Sequence, residues 1–208
     1  MDCRHHHAFN LLDNMDGLCA GTAVIAGLYL AILYLADGAR GCVILICAAA
    51  ESIAGFLLFN FHPARIFIGD SGSRFIGFLL ATSSLVQTTR ASGMPASVFT
   101  PVILLAVPIL DTLLVAVSRR LRAQPISRGG TDHTSHRLVR LGMTEGFAVL
   151  LLYTITVFSG TLALAARHLA SSRALVVMTL WLALLLLLGA QLFKMRSGVR
   201  VESRAQAV

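Results

Sequence analysis

Six apolar stretches of this sequence approach or reach the length that an α-helix needs to cross a lipid bilayer. About 20 apolar residues span the ~30 Å of hydrocarbon, and the run LWLALLLLLGAQLF contains no charged residue. Hydrophobic residues make up 56% of the 208 residues and charged residues 13%, whereas a soluble domain carries about 25% charged residues. The sequence therefore predicts an all-α, polytopic integral membrane protein.

The predicted spans lie within a single transmembrane domain that covers residues 1–208. Short connections separate them, and residues 194–208 form a polar tail. The predicted bounds are Leu18–Ala36, Cys42–Phe59, Phe75–Leu85, Val98–Val117, Phe147–Ala166 and Ala174–Phe193.

Basic residues are concentrated on one side of the predicted spans. If the residues before the first span are cytoplasmic, most of the 17 Lys and Arg residues are cytoplasmic too. They then lie mainly in residues 60–73, in residues 118–144 and in the tail. Short cytoplasmic loops typically carry such an excess. The net charge of +7 is therefore interpreted as a topology signal, and no nucleic-acid partner is predicted.

The chemically distinctive segments fall on the same predicted side. They are NLLDNMDG, NFHPARIFIGDSGS and GGTDHTSHRLVRLG, whereas connections on the other side, such as DGARG, are short. A channel would place polar groups along its path through the bilayer. Acids, histidines and arginines gathered at one face are typical of a protein with a charged cytosolic substrate, and a small transporter is the less favoured alternative.

Asp70 lies in IFIGDSGS, at the start of the third predicted span. Glycines allow backbone amides to approach an anion, and a carboxylate beside such a turn is a suitable Mg²⁺ ligand. In the alternative interpretation, Asp70 or Ser71 only caps the helix. The local sequence leaves both interpretations open.

The segment NLLDNMDG contains a second group of polar side chains. Asp13 and Asp16 are three residues apart and would share one face of a helix, and Asn10 lies one turn earlier. These groups suit hydrogen bonding to a base, a ribose or a metal-bound water. A polar turn before the first span is the alternative.

Residues 118–142 are rich in arginine and histidine. The planar guanidinium of arginine grips phosphate oxygens in pairs, so this segment is a candidate phosphate clamp. A solvated loop that fixes topology and contacts anionic lipid is the alternative. It explains the paired glycines and the histidines less well.

Two acids lie inside apolar sequence. Asp111, in AVPILDTLLVAV, is a functional candidate because acids are costly in a membrane span, or it pairs with a nearby arginine. Glu51, in AAAESIAG, is interpreted as a local pair or a helix–helix hydrogen bond outside the site.

Four motifs occur in the order found in one known family. The segments NLLDNMDGLCAG, FNFHPARIFIGDSGSRFIGFLLA, PILDT and GGTDHTSHRLVRLG resemble those of the polyprenyl-phosphate N-acetylhexosamine-1-phosphate transferases. These form the MraY/WecA superfamily, or glycosyltransferase family 4. The resemblance runs from about Ala8 to Gly142, and the histidine segment is more similar to the WecA-type branch.

The resemblance implies a membrane glycosyltransferase that moves a sugar-1-phosphate from a UDP-N-acetylhexosamine to polyprenyl (undecaprenyl) phosphate. Such enzymes act in cell-wall or surface-polysaccharide synthesis, at the cytoplasmic face of the bacterial plasma (inner) membrane. Mg²⁺, or Mn²⁺ in its place, is the implied cofactor. A homodimer is compatible with the resemblance.

The resemblance also assigns roles to individual residues. Ser135 stands where the family usually has a histidine. Asp70 is the implied metal ligand and, with His133, His136 and Arg137 at the phosphates, a catalytic residue. The implied substrate-binding residues are Asn10, Asp13, Asp16, Asn60 and Phe67.

The sequence departs from the family pattern in one respect. Family members have about ten spans and a tandem aspartate motif in the N-terminal half. This sequence has six predicted spans, no Asp-Asp pair and an atypical start at residues 1–7. The resemblance is thus to the C-terminal portion of such an enzyme, and a truncated, non-catalytic membrane remnant is the alternative.

Overall fold

The computed structural model describes residues 15–90, 98–121 and 133–205. No strand occurs in these ranges, and the predicted all-α class is confirmed. The helices are α1 (Leu18–Ala36), α2 (Arg40–Asn60), α3 (Gly69–Arg90), α4 (Thr100–Leu104), α5 (Ala106–Arg120), α6 (Thr134–Arg140), α7 (Glu145–Ala166) and α8 (Ser171–Ala205).

Four helices of the described chain are long and apolar enough to cross a membrane. They are α1, α2, α7 and the Ser171–Phe193 part of α8, which coincide with the first, second, fifth and sixth predicted spans. The third predicted span is longer in the structure, as α3, but contains the polar run TSSLVQTT. A multi-pass membrane protein is confirmed, and the count of six spans stays a prediction.

A proline explains why the fourth predicted span is interrupted. Pro108 has no N–H to donate to the Leu104 carbonyl, and its ring crowds that carbonyl. Accordingly α4 ends at Leu104, and Leu105 leaves the helical region with φ −100° and ψ 21° before α5 begins. The short α4 packs against α7, and α5 packs against α8.

The helix α1 is the centre of the bundle. It is the most buried of the candidate spans and packs against α2, α3, α4 and α7. Two glycines allow α1 and α7 to approach closely, because a Cβ on Gly160 would overlap the ring of Tyr29 and a Cβ on Gly21 would overlap the Tyr153 hydroxyl. Aromatic rings thus fill the space that two missing side chains leave.

The helices α2 and α8 are the most exposed spans. Large apolar side chains such as Ile44, Leu58 and Leu180 are exposed on them, as expected for surfaces that face lipid. Glu51 lies on the exposed side of α2, midway along the helix. It is therefore remote from both helix ends, where the polar clusters lie.

Successive long helices run in opposite directions, so their ends fall into two sets. We call one set the motif end: it comprises residues 15–17, 60–74, 111–121 and 133–145. Hydrogen bonds there join the start of α1 to α2 and α7, and join α5 to the start of α6, as described below. The distinctive segments of the sequence therefore meet at one end of the bundle.

Polar contacts also hold the opposite end. Asp37, which follows α1, accepts a hydrogen bond from Gln87 Nε2 at 3.1 Å and forms an ion pair with Arg167 at the end of α7. The Tyr34 hydroxyl donates to the Ser83 carbonyl at 2.5 Å. These contacts fix α1, α3 and α7 relative to one another.

Candidate functional site

Asn60 connects the start of α1 to the segment between α2 and α3. Its Oδ1 accepts a hydrogen bond from the Gly17 amide at 3.1 Å, and its Nδ2 donates to the Ile66 carbonyl at 2.9 Å. The side chain is buried, so its donor and acceptor both serve to position two motif segments. Its contact with a substrate stays a prediction.

Gly17 is fixed by hydrogen bonds to both its amide and its carbonyl. Its φ of +75° lies in the left-handed region, which glycine adopts without a steric penalty. Its amide donates to Asn60, and its carbonyl accepts from the Tyr153 hydroxyl of α7 at 2.6 Å. The turn that contains Gly17 and the neighbouring Asp16 is therefore held in place by α2 and α7.

Asp16 is bound by the segment that follows α2. Its Oδ2 accepts from the Ala64 amide at 3.0 Å and lies 3.1 Å from Nδ1 of His62. That nitrogen also lies 3.9 Å from Glu145 Oε2, in the first turn of α7. A small pocket opens beside this cluster, lined by Met15, Asp16, Phe61, His62, Glu145, Gly146 and Val149.

Asp70 lies inside the first turn of α3, one residue after its start at Gly69. The metal-ligand and the capping interpretations of Asp70 both stay predictions. Its carboxylate lies 3.0 Å from Arg74 Nη2, and the side chain is 72% exposed. Phe67, which precedes the helix, is also exposed. Both side chains are therefore accessible to a ligand at the motif end.

A buried carboxylate–imidazole pair joins α5 to the start of α6. Asp111 Oδ2 lies 2.9 Å from His133 Nδ1, and Asp111 Oδ1 accepts from the Thr134 amide at 2.6 Å. The two side chains are only 2% and 6% exposed. Asp111 thus pairs with a histidine, in place of the arginine considered from the sequence.

Arg137 is buried against α8. Its Nη1 donates to the Leu192 carbonyl at 3.4 Å, and its guanidinium carbon lies 5.5 Å from the centre of the Phe193 ring. These contacts hold α6 against the bundle. The phosphate contact implied for Arg137 stays a prediction.

His136 lies within electrostatic reach of Glu145 and Asp111 at the motif end. Burial, together with nearby His133 and Arg140, lowers the pKa of His136 from its usual 6.5, against the opposing effects of Glu145 and Asp111. The imidazole of His136 is therefore neutral near pH 7. A neutral imidazole both donates and accepts hydrogen bonds.

The resemblance implies a Mg²⁺ site at Asp70, and the described side chains bear on what such a site could contain. Mg²⁺ often binds through one or two carboxylates, with substrate phosphates and water as its other ligands. No group of three His, Cys, Asp or Glu side chains suited to a metal occurs in residues 15–90, 98–121 and 133–205. Asp70 offers one exposed carboxylate at the motif end, and its role as a Mg²⁺ ligand stays a prediction.

Asn10 and Asp13, which the resemblance implies as substrate-binding residues, lie outside the described residues. The sequence did not lead us to expect His62 and Glu145 at the site, or the pairing of Asp111 with His133. His62 could have been found, because it lies two residues after Asn60 within the same motif. Glu145 had a weaker signal, as the acid that follows the helix-capping Thr144.

These features define a multi-pass membrane protein whose acidic and histidine side chains form a polar site at one end of a helical bundle. Comparison with known proteins identifies the family: residues 4–88 match the model of glycosyl transferase family 4. The chain belongs to glycosyl transferase family 4.

Several curated relatives carry more specific names. The chain is 39% identical over 149 residues to the "Probable undecaprenyl-phosphate N-acetylglucosaminyl 1-phosphate transferase" of Bacillus subtilis, covering 72% of this chain and 41% of the relative. It is 36% identical over 167 residues to the decaprenyl-phosphate N-acetylglucosaminephosphotransferase of Mycolicibacterium smegmatis, covering 71% and 41%.

The similarity extends to a second type of transferase. The phospho-N-acetylmuramoyl-pentapeptide-transferase of Moorella thermoacetica is 33% identical over 154 residues, covering 73% of this chain and 45% of the relative. The chain thus spans less than half the length of the curated relatives it matches.

Proposed function

We propose that the protein acts in the transfer of N-acetylhexosamine-1-phosphate from a UDP-sugar to polyprenyl phosphate, giving UMP and a polyprenyl-diphosphate sugar. The observation that carries this proposal is the gathering of the family's motif residues at one end of a membrane bundle. The names of the relatives support the chemistry, because two of the three act on a polyprenyl phosphate and N-acetylglucosamine phosphate.

The proposed location is the bacterial plasma membrane, with the motif end at the cytoplasmic face. The excess of basic residues in the motif segments supports this orientation. UDP-sugars are cytosolic, so a cytoplasmic motif end gives the donor direct access. The apolar surfaces of the spans are available to the prenyl chain of the acceptor.

Phosphoryl transfer depends on positioning and on charge neutralisation more than on covalent help from the protein. Asp70 would hold Mg²⁺, which when bound neutralises charge on the diphosphate. Asp16, supported by Ala64 and His62, would orient the nucleotide through its carboxylate. His133, just before α6, and His136 within it would contact the phosphates.

A transfer assay with membranes tests this proposal. The gene is deleted in its own host, and radiolabelled UDP-N-acetylglucosamine is added to membranes of the parent and deletion strains together with undecaprenyl phosphate. We expect labelled lipid and released UMP only where the protein is present. UDP-N-acetylgalactosamine in a parallel series identifies the hexosamine. Equal labelling in both strains with every UDP-sugar would refute the proposed transferase function.

A further inference from the structure

Glu51 is an ionisable side chain on the lipid-facing surface of a membrane span. It lies midway along α2 (Arg40–Asn60), roughly 15 Å from either end and so near the centre of the hydrocarbon. The side chain is exposed and forms no hydrogen bond or ion pair with the residues that the structure describes. A group of this kind is costly in lipid unless another polar group meets it. Glu51 therefore requires a partner outside this bundle.

The residues around Glu51 on this face have the spacing of a helix-packing surface. Exposed residues recur at alternating intervals of three and four positions, which keeps them on one side of a helix. They are Gly41, Ile44, Ala48, Glu51, Gly55 and Leu58, and we call them the α2 seam. A Cβ added at Gly41 or Gly55 would meet nothing within 4 Å. Small residues at every second position of the α2 seam allow the backbone of another helix to approach closely.

The other apolar spans of the described chain carry no base at the depth of Glu51. No Lys, Arg or His occurs in α1 or α7, and the only one in the Ser171–Phe193 part of α8 is Arg173, in the first turn. A second α2 does offer a polar group at that depth. Two copies with the same orientation are related by a two-fold axis along the membrane normal, so each residue lies at the depth of its counterpart.

Ser52 supplies the hydrogen-bond donor that Glu51 lacks. It follows Glu51 on the exposed side of α2, and its hydroxyl donates to the Ala48 carbonyl at 2.8 Å within the single chain. A hydroxyl rotates about its C–O bond, so it can instead donate to Glu51 of a second copy. A carboxyl oxygen accepts this hydrogen whether or not the carboxyl group is ionised. The two-fold axis makes the contact twice, once in each direction.

We infer that the α2 seam is an interface between two copies of this chain, in which Glu51 of each copy accepts a hydrogen bond from Ser52 of the other. In two parallel helices the α2 seam forms layers. Small residues face small residues in some layers, and Ile44 and Leu58 fill others. Glu51 then occupies the middle of the interface, away from lipid. The motif end takes no part in the contact, so the interface does not depend on the proposed transfer.

Disulfide cross-linking in native membranes tests the geometry of this interface. Ile44→Cys and Leu58→Cys are introduced singly into the chromosomal gene, and the membranes are oxidised with copper phenanthroline. A disulfide needs Cα atoms about 4.4–6.8 Å apart, so only facing positions react well. We expect a covalent dimer from both variants. Leu180→Cys, at an exposed leucine of α8, is the matched control and should give no more dimer than the parent protein.

A second experiment measures the part that Glu51 plays. Single-molecule photobleaching of fluorescently tagged protein gives the dimer fraction in liposomes at several protein-to-lipid ratios. Glu51→Leu should weaken association about tenfold, because the hydrogen bonds between the helices are lost. Glu51→Gln should associate like the parent, since its amide oxygen accepts the same hydrogen. Thr179→Leu replaces another exposed polar residue, on α8, and should leave association unchanged.

Gly55→Leu blocks the α2 seam without depending on Glu51. The single chain has free space at this position, so the variant should melt like the parent and yet stay monomeric. Equal cross-linking of Ile44→Cys and Leu180→Cys would overturn the inference, as would parent-like association of Glu51→Leu or Gly55→Leu. A cross-link from Ile44→Cys to a protein of different mass, with no covalent dimer, would also overturn it, because the partner would then be a different membrane protein.

Discussion

The hydroxyl of Tyr153 donates a hydrogen bond to the carbonyl of Gly17 at 2.6 Å, across 136 positions of the chain. This contact joins the middle of α7 to the turn that presents Asp16. The Gly17 carbonyl also receives the Gly21 amide at 2.8 Å, so the tyrosine adds a second donor to an acceptor that is already used.

Removing that hydroxyl should cost a modest amount of stability. Tyr153→Phe should lower the free energy of unfolding by about 1 kcal/mol, because one hydrogen bond is lost while the carbonyl keeps its other donor. Chemical denaturation of the protein in lipid nanodiscs measures the change. Tyr29→Phe is the matched control, since the Tyr29 hydroxyl has no hydrogen bond to a described residue. An equal loss in both variants would contradict this interpretation.

Asp70→Asn should abolish transfer while the protein stays folded. The carboxylate is exposed, and its i,i+4 contact with Arg74 is worth only about 0.3–0.5 kcal/mol, so stability should hardly change. Loss of the charge that would hold Mg²⁺ should lower kcat about 100-fold or more. Transfer at several Mg²⁺ concentrations, with thermal stability in parallel, measures both effects.

Arg74→Gln is the control for this variant, because it removes the ion pair and leaves the carboxylate. It should transfer at close to the parent rate. Near-normal transfer and Mg²⁺ dependence in Asp70→Asn would place the metal ligand elsewhere.

The glycine contact between α1 and α7 should be intolerant of even one methyl group. In Gly160→Ala the new Cβ would overlap the Tyr29 ring, and overpacking of this kind typically costs about 1–3 kcal/mol. Gly55→Ala is the same change on α2, where a Cβ meets nothing within 4 Å. It should be neutral or stabilise by up to ~1 kcal/mol, because alanine favours the helix. The denaturation midpoint should therefore fall in Gly160→Ala and stay unchanged or rise in Gly55→Ala.

The lowered pKa of His136 should make stability depend on pH in the acidic range. The unfolded state binds a proton near the usual pKa of 6.5, whereas the folded state binds it only at lower pH. The stability gained from the neutral imidazole is thus complete above about pH 6.5 and is lost as pH falls through the folded-state pKa. The thermal midpoint should fall on acidification in the parent and fall less in His136→Gln.

His168→Gln provides the comparison for that titration, because His168 is exposed at the opposite end of the bundle. It should follow the parent curve. If His136→Gln and His168→Gln have the same acid dependence, burial of His136 does not control it.

The sequence predicted the helical membrane fold well because the signal is local. Apolar runs such as the one in α8 need no partner to be recognised. The interruption at Leu105 was harder to place, since Pro108 breaks the bond to a carbonyl one turn earlier and so the helix fails before the proline itself.

The candidate site was predicted in part. Motif resemblance predicted roles for Asp70 and Asp16, and the structure places both at the motif end. Spacing along the chain could not show that Asn60 uses both of its polar groups to bind Gly17 and Ile66. The partner of Asp111 lies 22 residues away, beyond any helical period. Such pairings arise from tertiary packing, which a linear pattern does not encode.

The ion pair between Asp37 and Arg167 has a consequence for biosynthesis. The two residues are 130 positions apart, and ribosomes add about 5–20 residues per second. The carboxylate of Asp37 is therefore made roughly 7 to 26 s before its guanidinium partner. During that interval α1 and α2 are already available for insertion, and Asp37 has to stay in the watery interfacial layer. The ion pair, and with it the packing of α7 against α1 at this end, can therefore form only after α7 has been synthesised.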